Sequence, residues 1–188
     1  MQLQYRSLCR VTLSVLCPLL LAILVPGPAV AESAREAPGA APLTAEAALE
    51  RLKTLEGEWT GTMSGGDAPV QIVYRVTAGG STVMETLFPG TDHEMVSLFH
   101  LDGKDLVMTH YCAVGNQPRF RLKRKGAAPN ELVFDFAGGT NLNPRKDGHI
   151  HNGKIVLVDP DHIESEWTFY QDGQALEANR FSLTRKGS

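Results

Sequence analysis

Downstream of residue 56 the chain divides into about ten short runs in which apolar and polar residues alternate, each closed by a turn signal, and that period of two marks half-buried β-strands. The runs cover residues 57–63, 69–78, 81–88, 93–101, 104–112, 118–125, 130–137, 149–158, 162–171 and 174–185. Connections after the even-numbered runs are tight: Gly79-Gly80, Asp102-Gly103, the short Gly126–Pro129 segment and Asp159-Pro160-Asp161. Those after the odd-numbered runs are longer, with Asp172-Gly173 the exception. Alternate turns of an antiparallel meander lie at the same end, so the pattern predicts an all-β fold. Its form is an up-and-down antiparallel barrel of about ten strands with one closed rim and one loop-rich mouth. Ahead of it, Thr44 can cap a short helix over residues 45–54 whose Leu49 and Leu52 share a face. That helix is expected over the closed end.

Hairpin turns also decide which side chains share a face. A two-residue turn at Asp102-Gly103 pairs Phe99 with Leu106, Ser97 with Met108 and Met95 with His110, which turns His110 and Cys112 inward. Gly79-Gly80 pairs Val76 with Val83 and Tyr74 with Glu85, placing an acid on an apolar inner face. Asp172-Gly173 pairs Trp167 with Ala178 and Ser165 with Arg180, so Arg180 is expected inside. In the eighth strand Lys154 prefers water, which turns His149, His151, Ile155 and Leu157 inward. A regular turn at Pro160-Asp161 opposes this by pairing Leu157 with Glu164, and an odd loop or a bulge is needed to reconcile the two. Strand polarity then brings Glu85, His110, Cys112, His149 and His151 to the same open rim.

The N-terminal region follows a different rule. Arg6 and Arg10 precede an apolar stretch from Val11 to Val25, and Ala29-Val30-Ala31 supplies a small-x-small cleavage site. Residues 1–31 are therefore expected to be a signal peptide, 32–43 a flexible Ala/Pro/Gly linker, and 44–188 the barrel domain. This predicts export, to a periplasm or the exterior, with no stable membrane insertion after cleavage. Cleavage would remove two of the 18 basic residues and none of the 21 acidic ones, making the mature chain more acidic than the formal −3. Such a balance argues against nucleic acid as a partner, because phosphate binding draws on clustered Lys and Arg. The basic run from Arg119 to Lys125 alternates as a solvated sheet edge would. Of three cysteines, Cys9 and Cys17 would leave with the signal, and Cys112 alone cannot form an intrachain disulfide.

The chemistry gathered at the mouth suits more than one occupant. Tyr74, Glu85, His110, Cys112, His149, His151 and Arg180 are the candidate ligand-binding residues, able to orient a partly polar or amphipathic small molecule whose body lies in the barrel. Imidazole is a common transition-metal ligand, and His110, His149 and His151 are the candidates for a metal or haem. That alternative would make the protein a haem- or metal-binding barrel with redox or isomerase activity at its mouth. A catalytic set is not legible: His110 and Cys112 project in parallel from one strand, without a third group to orient a nucleophile. The sequence leaves open whether bulky interior residues spare any cavity, and it gives no oligomeric state.

Gly57-Glu58-Trp59 at the start of the first strand resembles the Gly-x-Trp element of the calycin superfamily, which includes lipocalins, fatty-acid-binding proteins and nitrobindin-like haem barrels. In that group the Trp packs against a basic residue of the last strand; Arg185 fits by height and Arg180 by face. The runs GSTVMETLFPG from Gly80, THYCAVGNQPR from Thr109, the segment from Gly148 to His162, and ESEWTFYQDG from Glu164 together resemble an exported bacterial calycin-like family of unknown function. The resemblance covers most of residues 45–186 and implies a ten-stranded barrel, without an established activity. The proximal-histidine context of the nitrobindin-like proteins and the disulfides of lipocalins have no counterpart here, so haem is not carried over.

Overall fold

A computed structural model describes residues 43–66, 68–124 and 127–187. The expected signal peptide, and the expected linker apart from Leu43, lie outside the described residues. A nine-residue helix, α1 (Ala45–Lys53), precedes ten strands. These are β1 (Gly57–Met63), β2 (Val70–Thr77), β3 (Thr82–Leu87), β4 (Met95–Asp102), β5 (Asp105–Tyr111), β6 (Gln117–Leu122), β7 (Glu131–Thr140), β8 (His149–Asp159), β9 (His162–Gln171) and β10 (Gln174–Arg185). Every strand pairs antiparallel with its chain neighbours, and β1 pairs with β10 to close the barrel. Closure leaves no edge, so the basic run around Arg121 is an outer face: Phe120 and Leu122 point inward, while Arg121 and Arg124 both bond Asp105.

Thr44 caps α1 by accepting from the Ala47 N–H at 3.1 Å. Ala45, Ala48, Leu49 and Leu52 are buried, and Arg51 donates to the carbonyl of Pro129 in the β6–β7 connection, so the helix sits over the rim stitched by the tighter turns. At this end Trp59 is fully buried, its indole donates to the Leu55 carbonyl at 2.8 Å, and Arg185 lies over the ring at 4.4 Å. Of the two cations expected from the Gly-x-Trp element, Arg185 holds the position. Its guanidinium also donates to the carbonyls of Thr54 and Glu56, both at 2.8 Å, and of Pro160 at 3.1 Å. It therefore ties the helix exit, β1 and the β8–β9 turn to the last strand.

The middle of the barrel is filled by aromatic rings. Phe134 stacks on Trp167 at 6.3 Å and meets Phe99 at 5.7 Å, and Phe120 meets Trp167 edge-on at 6.1 Å. Gly153 makes this possible, because a Cβ there would fall 2.2 Å from the Trp167 indole. The packed layer leaves the interior on the mouth side to be filled by something else.

Three registers differ from expectation. In the β4–β5 hairpin Asp102 pairs with Asp105, so the turn is one residue later; Phe99 meets Met108 and Ser97 meets His110, with faces unchanged. In the β9–β10 hairpin a bulge between Ala175 and Ala178 shifts the ladder by one, and Arg180 pairs with Glu166 on the outer surface. The inward facing expected for Arg180 is thereby corrected, and the 2.9 Å ion pair to Glu166 holds it outside. Strand β8 carries irregularities at Ile150/Asn152 and at Leu157/Asp159. The second supplies the odd loop needed at Pro160-Asp161, so Leu157 pairs with Ile163 and Ile155 with Ser165.

Replacing Arg185 with Met keeps an aliphatic stem over Trp59 but strips three carbonyls of their donor. The expected loss is about 3 kcal/mol in urea unfolding, the sum of a cation–π contact and several charged hydrogen bonds. An exposed lysine substituted in the same way, Lys123→Met, should change stability by less than about 0.5 kcal/mol.

Candidate functional site

Above the aromatic layer the barrel holds a cavity of about 310 Å³ that opens among the longer loops. Trp167 forms part of its wall on the packed side, and Leu87, Met108, Ile150 and Phe181 contribute apolar surface. Glu85, Ser97, His110, Cys112 and Asn179 are the polar or reactive groups that reach it from the strands and their ends, and His93 reaches it from the β3–β4 loop.

These polar groups are aligned by the ladder itself. Tyr74 on β2 pairs with Glu85 on β3, Glu85 with Ser97 on β4, and Ser97 with His110 on β5. One rung of four adjacent strands is thus polar, between apolar rungs containing Ile72 and Leu87 on one side and Val83, Phe99 and Met108 on the other. All four polar residues are buried. The Tyr74 hydroxyl donates to Glu85 Oε1 at 2.6 Å, and Ser97 Oγ lies 3.0 Å from His110 Nδ1. Burial raises the Glu85 carboxyl above its usual range, and hydrogen bonds from Tyr74 and Ser97 offset part of that rise. Burial, then the Glu85 charge and hydrogen bond, push the Tyr74 phenol well up, so it remains a donor. Burial lowers His110 to about 4, which keeps the ring neutral at neutral pH.

The direction of this chain fixes the His110 tautomer. Where Glu85 is ionised, Ser97 donates its one proton to the carboxylate and its oxygen accepts from His110 Nδ1–H. His110 Nε2 is then a bare lone pair, and it is buried without a hydrogen-bond partner. A proton on Glu85 would reverse the chain and make Nε2 a donor. The site therefore presents an uncommitted nitrogen whose character is set two residues away.

His149 and His151 belong to a different arrangement. His149 Nδ1 donates to the Asp147 carbonyl at 2.8 Å, and its Nε2 lies 3.0 Å from His151 Nδ1. His151 stacks between Phe136 at 4.5 Å and Tyr170 at 4.0 Å. Burial and the neighbouring His149 lower its basicity. Neither ring lines the cavity that His110 lines, because the bulge at His151 inverts the strand and sends Ile150 there instead. Among the described residues no group of three or more His, Cys, Asp or Glu side chains is arranged to hold a metal ion. The structure thus joins Tyr74, Glu85 and His110 in one chain and sets Cys112 on the same cavity. It does not bring His149, His151 or Arg180 into that cavity.

Three participants escaped the sequence. Ser97 was placed inward but opposite Met108, and the one-residue displacement of the turn is what sets it beside His110. Asn179 reaches the cavity through the bulge that expels Arg180. Asn116, buried in the β5–β6 loop, donates to the Gly148 carbonyl at 2.8 Å and ties two mouth loops together.

No known protein family profile matches the chain, and no curated protein matches it. Among solved structures it is similar to a protein of unknown function from the DUF3598 family of Nostoc punctiforme, at 14% identity and a TM-score of 0.45. The similarity covers 71% of this chain and 48% of that one, so this chain spans about half the length of that protein.

The buried imidazole gives stability a pH dependence of known sign. An unfolded histidine titrates near 6.5 and His110 near 4, so between these values the unfolded chain binds a proton that the folded chain does not. Its contribution is complete above the upper value and is lost as pH falls toward the lower. Glu85 runs the opposite way, losing stability as pH rises through its elevated folded value, in native and variant protein alike. The stability difference between the native protein and His110→Gln, from urea unfolding, is therefore expected to shrink by about 3 kcal/mol between pH 7 and pH 4. A difference that stays constant over that range would mean that His110 is not buried as a neutral ring.

Proposed function

We propose that this protein is an exported binding barrel that holds a small amphipathic molecule, with its apolar body in the cavity and a hydroxyl or N–H group donating to His110 Nε2. One observation carries the reading: His110, whose buried Nε2 has no partner, lines a largely apolar cavity of about 310 Å³. A buried polar atom left unpaired is costly, about 1–3 kcal/mol, and a ligand donor at that point removes the cost. The volume lies at the lower end of small-molecule sites, about 300–1,000 Å³, which favours a compact ligand over a large cofactor. Export rests on the N-terminal pattern of Arg6, Arg10 and Ala29-Val30-Ala31.

The donor requirement separates ligands of equal size. A medium-chain alcohol is expected to bind about five- to tenfold tighter than an alkyl methyl ether of the same length, since one buried hydrogen bond contributes about 1 kcal/mol. Competition with a fluorescent apolar probe measures the ratio. In His110→Leu the probe should still bind and the alcohol should lose its advantage. Equal affinities for alcohol and ether in the native protein would refute the assigned tautomer, and no binding of any apolar probe would refute the ligand reading itself.

A further inference from the structure

The same cavity is rich in sulfur. Met63, Met95 and Met108, three of the five methionines in the sequence, line it together with Cys112. Met95 opens β4 and Cys112 follows the last residue of β5, so the two meet at the mouth end of a hairpin whose next inward pair is Ser97 and His110. Cys112 Sγ lies 4.0 Å from Met95 Sδ. That spacing has a geometric meaning: two sulfurs each about 2.3 Å from one ion, in trigonal arrangement, stand about 4.0 Å apart.

We propose that Met95, His110 and Cys112 form a binding site for one soft monovalent metal ion, Cu(I). Each donor has an independent support. The two sulfurs touch each other directly at 4.0 Å, a separation compatible with one shared ion. His110 is 6% exposed, and its Nε2 has no partner in the protein. Ser97 Oγ lies 3.0 Å from Nδ1 with Glu85 paired behind it, a second-sphere arrangement that orients the imidazole and leaves its other nitrogen for a metal.

The donor set also selects the ion. A thioether is a soft donor suited to Cu(I), whereas zinc and harder ions want more His, Cys or carboxylate, and no group of three such side chains is arranged to hold an ion among the described residues. Loading involves no redox step: Cu(I) forms a bond to Sγ, and the thiol proton leaves to solvent. The site goes beyond the organic-ligand reading and does not depend on it, although both use the lone pair of His110.

The test is an anaerobic titration of the purified chain with Cu(I), kept reduced by ascorbate, against a chromogenic Cu(I) chelator. The expected result is one equivalent bound, with a near-ultraviolet thiolate-to-copper band and a rise in melting temperature. Cys112→Ser should abolish the band and the thermal shift. Met95→Leu, a swap that conserves volume, should weaken binding at least tenfold, and His110→Gln should do the same. Met84→Leu, outside the cavity, should leave affinity unchanged, and Zn(II) should bind at least a hundredfold more weakly than Cu(I). Circular dichroism establishes that each variant is folded; if Met95→Leu is not, Cys112→Ser and His110→Gln decide. Binding of less than half an equivalent overturns the proposal, as does binding that survives Cys112→Ser and His110→Gln unchanged. Loss of copper binding with the alcohol-over-ether preference intact would sink this site and spare the ligand reading.

Discussion

Closing ten strands into a ring forces every second side chain into one shared interior, and the pairing of β1 with β10 is the contact that imposes this. The closure is reinforced where Arg185 of the last strand covers Trp59 of the first and bonds carbonyls from the helix exit and the β8–β9 turn. Once the ring is shut, residues directly opposite on neighbouring strands become neighbours around a circle. Burial of any one of them then depends on the others, because no sheet edge is left at which an inward polar group could meet water sideways.

That dependence explains the polar rung. Glu85 alone inside an apolar barrel would be costly, and so would a neutral histidine with an empty nitrogen. Aligned as Tyr74–Glu85–Ser97–His110, they satisfy one another from the phenol to Nδ1 and leave the whole deficit at a single atom, Nε2. The aromatic layer of Phe99, Phe120, Phe134 and Trp167 closes off the helix side, so the open volume and the unsatisfied nitrogen fall in the same half of the barrel. Tyr74 is outside the cavity lining yet acts on it, by holding the carboxyl that orders Ser97 and, through it, the tautomer of His110.

The two histidine groups show how local irregularity divides a site. Both lie toward the mouth by strand polarity, but His151 sits at a bulge and is clasped between Phe136 and Tyr170, with His149 bonded beside it. Those contacts satisfy three of the four ring nitrogens of the pair internally or against the backbone. His110 has no such neighbours at Nε2, and this difference in partners, more than residue type, separates a structural histidine pair from a nitrogen open to a ligand.

Alternation and turn residues determined the strand count, the two kinds of rim, the capped helix and the pairing of Tyr74 with Glu85, because each of these depends on neighbours a few residues apart. They also determined that His110 and Cys112 face inward, since displacing the turn by one residue shifts every β4–β5 partner by two residues and leaves the faces unchanged. What only the tertiary structure decided were the bulges. One extra residue between Ala175 and Ala178 put Arg180 outside and Asn179 inside, and the irregularity at His151 sent Ile150 to the cavity in its place. A strand repeats every two residues, so a single insertion inverts all that follows it. Where that insertion falls is fixed by the fit of both neighbouring strands within a closed ring, which no local stretch of sequence contains.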